Sequence, residues 1–521
     1  MPRRAPHLLA ALIAAACSAG DLDDDGGLGG TGGADAASGS GDGDGGGPGL
    51  GDAGPFADAD PAAGLGYAEA RFSSTHNSYS GDINGERGTI LAQLEAGVRN
   101  LELDIYDSNF AAHGYRVGHN SPGGEVDRGD GNPETDAFTA WLEVIGTWSA
   151  QNPRHAPITV LVDLKSNISS NHSYAQGEPA RLNDVLLEAF GDRLLRAEEV
   201  GDPFPTIPEL RGRILAVMSG SETTRMAYRR DRGHNAAVAV NAHGQVVEVH
   251  DSGGGDLWYW TGQIENGYVR WIRHGMYDTG RNPAVALSDD GLIVEVHNGH
   301  SGSDTTLWYG VGQLGDDYEI EWLHDGGQRF PDNDQGINPS IRFVDRGGLA
   351  VREIHQSQNN PDNHFYWNGT IDVGAGEVVW TREGDGDGDT NEPLFDKTAD
   401  ATGGHAIAVS TGELGPYGSD TLRYRLSDGP WRFIRYEQVL FVEAQHNGSA
   451  ALEADELWFY AASAERSGGR SWAEDRRAQG GVVRLWNFNS PDHATRTPVN
   501  FPATDFPFED WYRSYCEACV R

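Results

Sequence analysis

The chain has 521 residues, with 39 basic and 78 acidic side chains and a formal charge of −39 at pH 7. Phosphate backbones bind basic surfaces, so this acidity argues against nucleic acid as a partner. Three cysteines exclude a small fold held together by disulfides, whereas an apolar fraction of 38% is enough for the cores of two or three domains.

The N-terminus has the order of an export signal. Arg3 and Arg4 precede a short apolar run that ends at Cys17, within the predicted signal segment 1–19, and such a run is too short to cross a bilayer. The run resembles a relaxed bacterial lipoprotein signal, which would make Cys17 a lipidated N-terminus; a secretory signal cut near residue 16 or 19 is the alternative. Both signals predict export. A lipoprotein signal predicts a protein held in the bacterial cell envelope by a lipid anchor rather than by a transmembrane helix, and a secretory signal predicts a secreted protein.

Residues 20–66 consist mostly of Gly, Asp, Ala and Ser. A segment with so few large apolar side chains cannot bury enough surface to offset the entropy of ordering it. We therefore predict a disordered acidic tether between the signal and the folded body.

Residues 67–221 and 433–521 alternate strand-like apolar runs with segments of helical spacing. That alternation is typical of β/α units, and the two pieces together approach the roughly 250 residues of an eight-stranded barrel. We therefore predict an α/β fold, a (β/α)8 TIM barrel in two parts. The predicted strands are 70–75, 98–105, 115–118, 158–164, 213–218, 439–443, 482–488 and 500–506, and the predicted helices are 90–96, 137–150, 180–195 and 451–464.

Between the two pieces, residues 222–432 contain three internal repeats that begin at Asn235, Asn282 and Asn338. Each repeat continues with a Glu-x-His strand, an aromatic strand and a strand that carries a tryptophan, and residues 405–426 resemble a degenerate fourth copy. Four short strands per period of about 50 residues are typical of a propeller blade. We predict that an all-β, propeller-like domain interrupts the barrel. Its repeated Trp and His side chains either pack the blades, which we favour, or bind glycans.

Two of the barrel strands carry charged side chains at alternate positions. Glu102 and Asp104 share one face of their strand, and Asp163 shares a face with Lys165 at the end of another. Catalytic groups of barrels gather at the carboxyl ends of the strands, so the three carboxylates should converge there. Converging carboxylates repel one another, and a hard cation such as Ca2+ would relieve that repulsion.

His76 and His119 follow neighbouring predicted strands. Two imidazoles beside a cation site suit general acid–base cleavage of a phosphodiester, in which cations offset the charge on the phosphate. Lys165 supports this interpretation, because the chain has 2 lysines against 37 arginines. A lysine at this position, in a chain that otherwise uses arginine, indicates a role for a compact ammonium that a guanidinium does not fill.

These residues lie in motifs that resemble the phosphatidylinositol-specific phospholipases C, most closely their calcium-dependent bacterial branch. Each motif alone is weak, but four of them occur in order and with the expected strand parity. The resemblance covers the barrel pieces and stops at the insert. The matching motifs are Thr75-His-Asn-Ser-Tyr79, the segment 93–104, Gly118-His119 and the segment 157–165, with weaker agreement at 211–215, 440–444 and 500–505.

The resemblance implies a TIM-barrel phosphodiesterase that cleaves phosphatidylinositol at a membrane surface into a cyclic inositol phosphate and diacylglycerol. It implies that His76 and His119 are the catalytic pair, with His76 as the preferred base for the inositol 2-hydroxyl and His119 as the acid for the leaving group. Lys165 would meet the phosphate. The residues implied to hold Ca2+ are Asn77, Glu102, Asp104 and Asp163, although eukaryotic relatives have Glu where this chain has Asp163.

Four polar or aromatic residues lie on or after the last predicted strands. They either line the substrate pocket or are ordinary strand and loop residues. They are Glu443, Arg484, Trp486 and Asp505.

Two other functions remain open. Glycerophosphodiester phosphodiesterases also place a Glu-x-Asp pair on a barrel strand, but they normally begin with His-Arg-Gly, which the sequence at His76 does not match. The chain is alternatively a non-catalytic surface lipoprotein whose propeller binds glycans.

The remaining candidates have simpler interpretations. His113 and His155 flank strands and are predicted to lie at the surface. The run 385–389 resembles the start of a calcium loop but lacks the glycine required at the sixth position, which favours a plain acidic loop. Cys516 and Cys519 are too few for a zinc site, so we expect a local disulfide or two thiols.

Overall fold

The structure, a computed structural model, describes residues 64–168, 178–324, 326–382, 393–412, 420–454, 457–494 and 499–521. The predicted signal with Cys17, nearly all of the predicted tether and the acidic run 385–389 lie outside these ranges.

The described strands, in chain order, are β1 (Ser73–Thr75), β2 (Val98–Tyr106), β3 (Arg116–Val117), β4 (Ile158–Leu164), β5 (Leu194–Leu195), β6 (Ile214–Gly220), β7 (His234–Val240), β8 (Gln245–Asp251), β9 (Asp256–Glu265), β10 (Tyr268–Thr279), β11 (Arg281–Leu287), β12 (Leu292–Asn298), β13 (Leu307–Leu314), β14 (Ile320–Trp322), β15 (Gln328–Arg329), β16 (Ile337–Phe343), β17 (Ala350–Gln356), β18 (His364–Asp372), β19 (Glu377–Thr381), β20 (Ala399–Thr402), β21 (His405–Thr411), β22 (Leu422–Leu426), β23 (Arg432–Phe433), β24 (Phe441–Gln445), β25 (Phe459–Ser463), β26 (Val482–Trp486) and β27 (Phe501–Thr504).

The described helices are α1 (Ile90–Glu95), α2 (Phe110–His113), α3 (Phe138–Gln151), α4 (Pro179–Phe190), α5 (Glu222–Arg229), α6 (Ala450–Ala454), α7 (Gly469–Ala478), α8 (Pro491–Ala494) and α9 (Asp510–Tyr515). Within the described residues, no helix has the length and apolar character that crossing a membrane requires.

Eight of the strands form a closed, all-parallel barrel. Strands β2, β4, β6, β24, β25, β26 and β27 pair in that order, and β1 pairs with both β2 and β27. Nearly every side chain of β2, β4 and β6 is buried, as expected for parallel strands that are covered on both faces.

The predicted (β/α)8 TIM barrel is wrong, because much of the ring lacks the helical half of the repeat. Helix makes up only 21% of the structure. Among the described residues, the crossings after β1, β24 and β26 carry α-helices of only 6, 5 and 4 residues, and the crossing after β6 carries the insert. These crossings are rich in Gly, Asn, Asp and Ser, so they have no long apolar stripe that could pack a helix against the barrel. Helices of this length are also not stable by themselves in water.

Two assignments made from the sequence were also wrong. The run 115–118 forms the short strand β3, which pairs antiparallel with the end of β2 outside the ring. The run 451–464, predicted as a helix, contains the short helix α6 and the barrel strand β25. Short apolar runs fit a buried strand and a buried helix equally well, so periodicity does not separate the two.

The insert forms four β-sheets in a propeller-like arrangement. Blade 1 consists of β7–β10, blade 2 of β11–β15, blade 3 of β16–β19 and blade 4 of β20–β23. The strands within each sheet pair antiparallel. The degenerate fourth copy in the sequence therefore has a sheet of its own.

The repeated asparagines join neighbouring blades. Asn235, Asn282 and Asn338 have φ angles of 53°, 56° and 52°, a left-handed conformation that asparagine tolerates better than most residues. Asn282 donates an amide hydrogen bond to Asn338 Oδ1 at 3.0 Å, and Lys397, ahead of β20, donates to Asn282 Oδ1 at 2.5 Å. The repeated asparagines therefore have structural roles, in the left-handed backbone conformation and in contacts between blades.

The insert leaves the barrel after α5 and returns ahead of β24. The two linkers lie side by side, since the Asp231 N–H donates to the Ile434 carbonyl at 2.9 Å. Trp260 and Trp271 of blade 1 belong to the same buried apolar cluster as Leu101 of β2. Blade 1 therefore packs on a core that is continuous with that of the barrel.

Candidate active site at the mouth of the barrel

The carboxyl ends of neighbouring barrel strands bring the predicted acidic residues together. Glu102 and Asp104 lie in β2, Asp163 lies in β4, and the register pairs Asp104 with Asp163. His76 directly follows β1, whose partners are β2 and β27. Because all these strands are parallel, the side chains emerge at one end of the barrel.

Three carboxylates form a compact buried cluster. One oxygen from each of Glu102, Asp104 and Asp163 lies within 4.8 Å of the other two, and the residues are 3%, 0% and 9% exposed. Burial raises the pKa of Glu102, although Arg484 works in the opposite direction. Within the described residues, Asp104 Oδ1 is buried and has no hydrogen-bond partner.

Lys165 neutralises part of this cluster. Its Nζ lies 3.0 Å from Asp104 Oδ2 and 2.8 Å from Asp163 Oδ2. Burial would lower the pKa of Lys165, but the two carboxylates outweigh it and hold that pKa well above its ordinary value. Burial would likewise raise the pKa of Asp163, but Lys165 holds it below the usual range. The side chain of Lys165 is 27% exposed.

Arg484 of β26 links a second pair of carboxylates. Its two terminal nitrogens lie 3.1 Å from Glu102 Oε2 and 3.1 Å from Glu443 Oε1. Burial would lower the pKa of Arg484, but both carboxylates raise it further above its ordinary value. Ser219 of β6 donates a hydrogen bond to Glu443. Trp486 contacts this group through the guanidinium of Arg484, which lies 5.2 Å from its ring centroid.

His76 is oriented by Asp505, the residue that follows β27. His76 Nδ1 lies 3.1 Å from Asp505 Oδ1. Arg87 forms an ion pair with the same carboxylate, and Asn489 donates to its other oxygen at 2.6 Å. Burial lowers the pKa of His76, but the charges of Glu102 and Asp505 outweigh it and leave the pKa above its ordinary value.

His119 is oriented by Asp104. Its Nδ1 lies 3.2 Å from Asp104 Oδ2, and its backbone carbonyl accepts a hydrogen bond from the Tyr106 hydroxyl at 2.6 Å. The hydrogen bond to Asp104 raises the pKa of His119, although burial works against it. Both predicted histidines therefore have one ring nitrogen on a carboxylate of the same mouth.

Asn77 lies at the edge of the carboxylate cluster. It has a left-handed φ of 48°, and its backbone N–H donates to Glu102 Oε2 at 3.4 Å. The Tyr79 hydroxyl lies 3.4 Å from Asn77 Oδ1 and donates to Asp104 Oδ2 at 2.8 Å. The turn after β1 therefore places Asn77 beside the carboxylates.

Four residues that contact the site were not singled out from the sequence. Tyr79 lies in the motif Thr75-His-Asn-Ser-Tyr79, and its position in the same motif as His76 could have identified it as a site residue. Arg87, Ser219 and Asn489 lie in loops or on other strands, and no local pattern marks them. Their contacts depend on closure of the barrel.

The remaining candidates divide between surface and core. His113 is exposed, as predicted. The surface prediction for His155 is wrong, because it is buried and its Nε2 lies 2.7 Å from the hydroxyl of Ser149. Cys516 and Cys519 are buried free thiols.

The charges at the mouth do not balance. Its five carboxylates are Glu102, Asp104, Asp163, Glu443 and Asp505, and the permanent cations in ion pairs with them are Lys165, Arg484 and Arg87. Two negative charges therefore remain when both imidazoles are neutral. This imbalance, the unpaired oxygen of Asp104 and the all-oxygen donor set fit a divalent cation.

Comparisons with known proteins give partial similarity. No protein-family model and no curated protein matches the chain. The chain is similar to the calcium-dependent phosphoinositol-specific phospholipase C of a Pseudomonas species, at 20% identity and a TM-score of 0.25 over 31% of this chain and 61% of that one. It is also similar to the calcium-dependent phosphatidylinositol-specific phospholipase C of Streptomyces antibioticus. That match has 20% identity and a TM-score of 0.25 over 30% of this chain and 55% of that one.

Glycan-processing enzymes match at a comparable level. An exo-β-1,3-galactanase from Phanerochaete chrysosporium has 12% identity and a TM-score of 0.22 over 39% of this chain and 49% of that one. The chain spans less than two thirds of the length of each of these three structures.

Proposed function

We propose that the protein is a calcium-dependent phosphodiesterase that cleaves phosphatidylinositol-type lipids by acid–base catalysis. The observation that carries the proposal is the pair His76 and His119. Each imidazole is held at Nδ1 by its own carboxylate beside one cluster of carboxylates and cations. Cleavage of a phosphodiester needs a base, an acid and positive charge in one place. The two imidazoles would act as base and acid, and Lys165 together with a bound Ca2+ would supply the positive charge.

The two histidines have complementary roles in this mechanism. With Nδ1–H donated to Asp505, His76 has Nε2 available to take the proton of the inositol 2-hydroxyl. That oxygen attacks phosphorus and the bond from phosphorus to the glycerol oxygen breaks. His119, oriented at Nδ1 by Asp104, gives a proton to the departing diacylglycerol. The products are a cyclic inositol phosphate and diacylglycerol.

The cations of the mouth bind and orient the substrate. An ammonium has three N–H donors, and Lys165 directs two towards Asp104 and Asp163, which leaves the third for the phosphate. Arg484 and Glu443, which are buried, and the half-buried Trp486 would contact the substrate headgroup.

Asn77, Glu102, Asp104 and Asp163 would hold Ca2+, which when bound would offset negative charge on the phosphate. Lys165 already pairs with two of these carboxylates. We therefore expect a modest affinity for Ca2+.

Export and lipidation at Cys17 would keep this mouth near its substrate. A lipid anchor followed by the acidic tether would let the folded body reach lipid headgroups on the same membrane.

The test is release of water-soluble inositol phosphate from vesicles that contain phosphatidylinositol. We expect turnover by the wild-type protein with Ca2+, less with a calcium chelator, and about 10²–10⁴-fold less with His76→Ala. His113→Ala is the matched control, because this exposed histidine lies outside the mouth and should keep wild-type turnover. Phosphorus NMR should identify the cyclic phosphate as the first product.

The alternatives give different results. Equal turnover by wild type and His76→Ala would overturn the mechanism. Turnover on glycerophosphodiesters alone would identify a glycerophosphodiester phosphodiesterase, and retention on glycans without any turnover would identify a binding protein.

A further inference from the structure

Blade 1 contains a second group of side chains with metal-binding atoms. Asp231 lies on the linker after α5, His250 in β8 and His274 in β10. One ligand atom of each lies within 4.8 Å of the other two. Within the described ranges, only the carboxylates of the barrel mouth form another group of this kind.

The distances match those between ligands of one metal ion. His250 Nε2 lies 3.7 Å and His274 Nε2 lies 3.2 Å from Asp231 Oδ2. In a tetrahedral zinc site with bonds of about 2.0–2.1 Å, neighbouring ligand atoms are about 3.3 Å apart. His274 Nε2 is buried and, in the part of the chain that the structure describes, has no well-aligned hydrogen-bond partner.

The other ring nitrogen of each histidine has a partner of its own. His250 Nδ1 lies 3.1 Å from Glu248 Oε2, and His274 Nδ1 lies 3.0 Å from the hydroxyl oxygen of Tyr436. With Nδ1–H as the donor, each Nε2 carries a lone pair, and this is how metal-binding histidines are usually oriented. Both lone-pair nitrogens then lie beside Asp231.

Blade 3 repeats two of the three side chains. Asp334 Oδ2 lies 3.7 Å from His355 Nε2, as Asp231 Oδ2 does from His250 Nε2 in blade 1. In both blades the aspartate also accepts a tryptophan N–H at 2.7 Å. The aspartate–histidine pair is therefore part of the blade framework.

The third side chain differs between the blades. In blade 1, His274 pairs with Trp260 in the strand register. In blade 3, Asn368 pairs with Thr381, so the next residues along, Trp367 and Arg382, occupy the equivalent positions. The imidazole stacks on Trp260 at 4.3 Å between centroids, and the guanidinium lies 5.4 Å from the Trp367 centroid. A fixed guanidinium charge repels a metal ion, whereas a neutral imidazole binds one.

Charge and access in blade 1 suit a dication. Asp231 and Glu248 place two carboxylates beside the two imidazoles. The side chains of His274 and Asp231 are 12% and 15% exposed, so the group lies close to the surface.

We propose that Asp231, His250 and His274 bind one divalent transition-metal ion of the zinc type, with water completing its coordination. The ion fastens the insert to the barrel. The backbone of Asp231 is hydrogen-bonded to Ile434 on the return linker and to Leu422 of β22, so an ion on its side chain ties both linkers to blade 1.

The test uses the full chain, stripped of metal and kept in excess Ca2+ so that the barrel mouth does not compete for the probe. Co2+ is added and its visible absorption measured, followed by displacement with Zn2+ and by thermal unfolding. We expect one equivalent of Zn2+, a Co2+ spectrum typical of tetrahedral nitrogen and oxygen ligands, and a higher Tm with Zn2+.

His274→Arg places in blade 1 the residue found in blade 3, and should weaken Zn2+ binding at least 100-fold. His274→Gln is a second variant in case the arginine disturbs the fold, and near-UV circular dichroism checks both. His355→Gln in blade 3 is the matched control and should bind Zn2+ like the wild type. The proposal is overturned if the wild type binds no Zn2+, or if both His274 variants keep its Co2+ spectrum.

Discussion

Histidine–carboxylate pairs occur in two regions of the protein, and the Glu-x-His pairs of the blades are repeated and enclosed. His297 Nδ1 lies 2.9 Å from Glu295 Oε2, and His355 Nδ1 lies 3.0 Å from Glu353 Oε2. All four side chains are at most 2% exposed. Each histidine is two residues from its partner on one strand, so the pair forms wherever that strand forms.

The pairs at the barrel mouth have the opposite character. His76 bonds to Asp505 from the far end of the chain, and His119 bonds to Asp104 of another strand. The two imidazoles are 18% and 19% exposed. A pair that is assembled across strands and left partly open is accessible to a ligand, whereas an enclosed Glu-x-His pair stabilises its sheet and fixes the orientation of its imidazole.

The largest expected effect tests the mouth. His119→Asn should lower kcat/KM on phosphatidylinositol about 10²–10⁴-fold, because the proposed proton donor would be lost. The free energy of unfolding should change by less than about 1 kcal/mol, since Asp104 keeps Lys165 and Tyr79 as partners. Vesicle assays and urea unfolding measure the two quantities. A large loss of stability with unchanged turnover would reverse the comparison.

The second effect tests a blade. His297→Ala should lower the free energy of unfolding by about 3 kcal/mol, because Glu295 would remain buried without its partner. Activity per folded molecule should stay at the wild-type value. Urea unfolding is the measurement, and His324→Ala, an exposed histidine of the same blade region, should leave the unfolding midpoint unchanged.

A third variant sharpens the contrast inside the mouth. Asp505→Asn removes a negative charge that raises the pKa of His76, so that pKa should fall. A base that must be deprotonated would then act at lower pH, and the acidic limb of kcat/KM should move to lower pH with about a tenfold loss in kcat. The pH–rate profile and an NMR titration of His76 are the measurements. Asp510→Asn is the exposed control, and an unmoved limb would exclude His76 as the base.

The smallest effect concerns pH and stability in blade 3. Burial would lower the pKa of His355, but Glu353 outweighs it and raises that pKa. The stabilisation is therefore fully present below about pH 6.5 and is lost as the pH rises through the folded pKa. Between pH 6 and pH 9, the free energy of unfolding of the wild type should fall by more than that of His355→Gln. Parallel loss in urea unfolding of both proteins would show that the pair carries no proton linkage.

Local rules were enough to predict the acidic cluster of the mouth. Alternation along a strand placed Glu102 with Asp104 and Asp163 with Lys165, and barrel geometry placed both pairs at one end. The partners of Asp505 were not predictable, because Arg87 and Asn489 reach it only once the ring has closed. The wrong predictions for β3, taken as a barrel strand, and for β25, taken as part of a helix, have the same cause. Which short apolar run becomes a barrel strand depends on how the closed barrel pairs its strands.

The group in blade 1 shows a different limit. A register shift in β10 falls between Trp271 and Arg273 and sets which side chain of that strand lies against Trp260. Residues three apart lie on opposite faces of a regular strand, so no sequence pattern joins His274 to Asp231. The proposed metal site depends on that irregularity.

The side-by-side linkers have a consequence for the ancestry of such a chain. The Asp231 N–H is bonded to the Ile434 carbonyl, so excising the propeller between these two residues would leave a gap that a short turn can bridge, while α5 still crosses from β6 to its parallel neighbour β24. A cassette of four sheets can thus be gained or shed in one genetic event, provided that the apolar barrel surface under Trp260 and Trp271 changes with it.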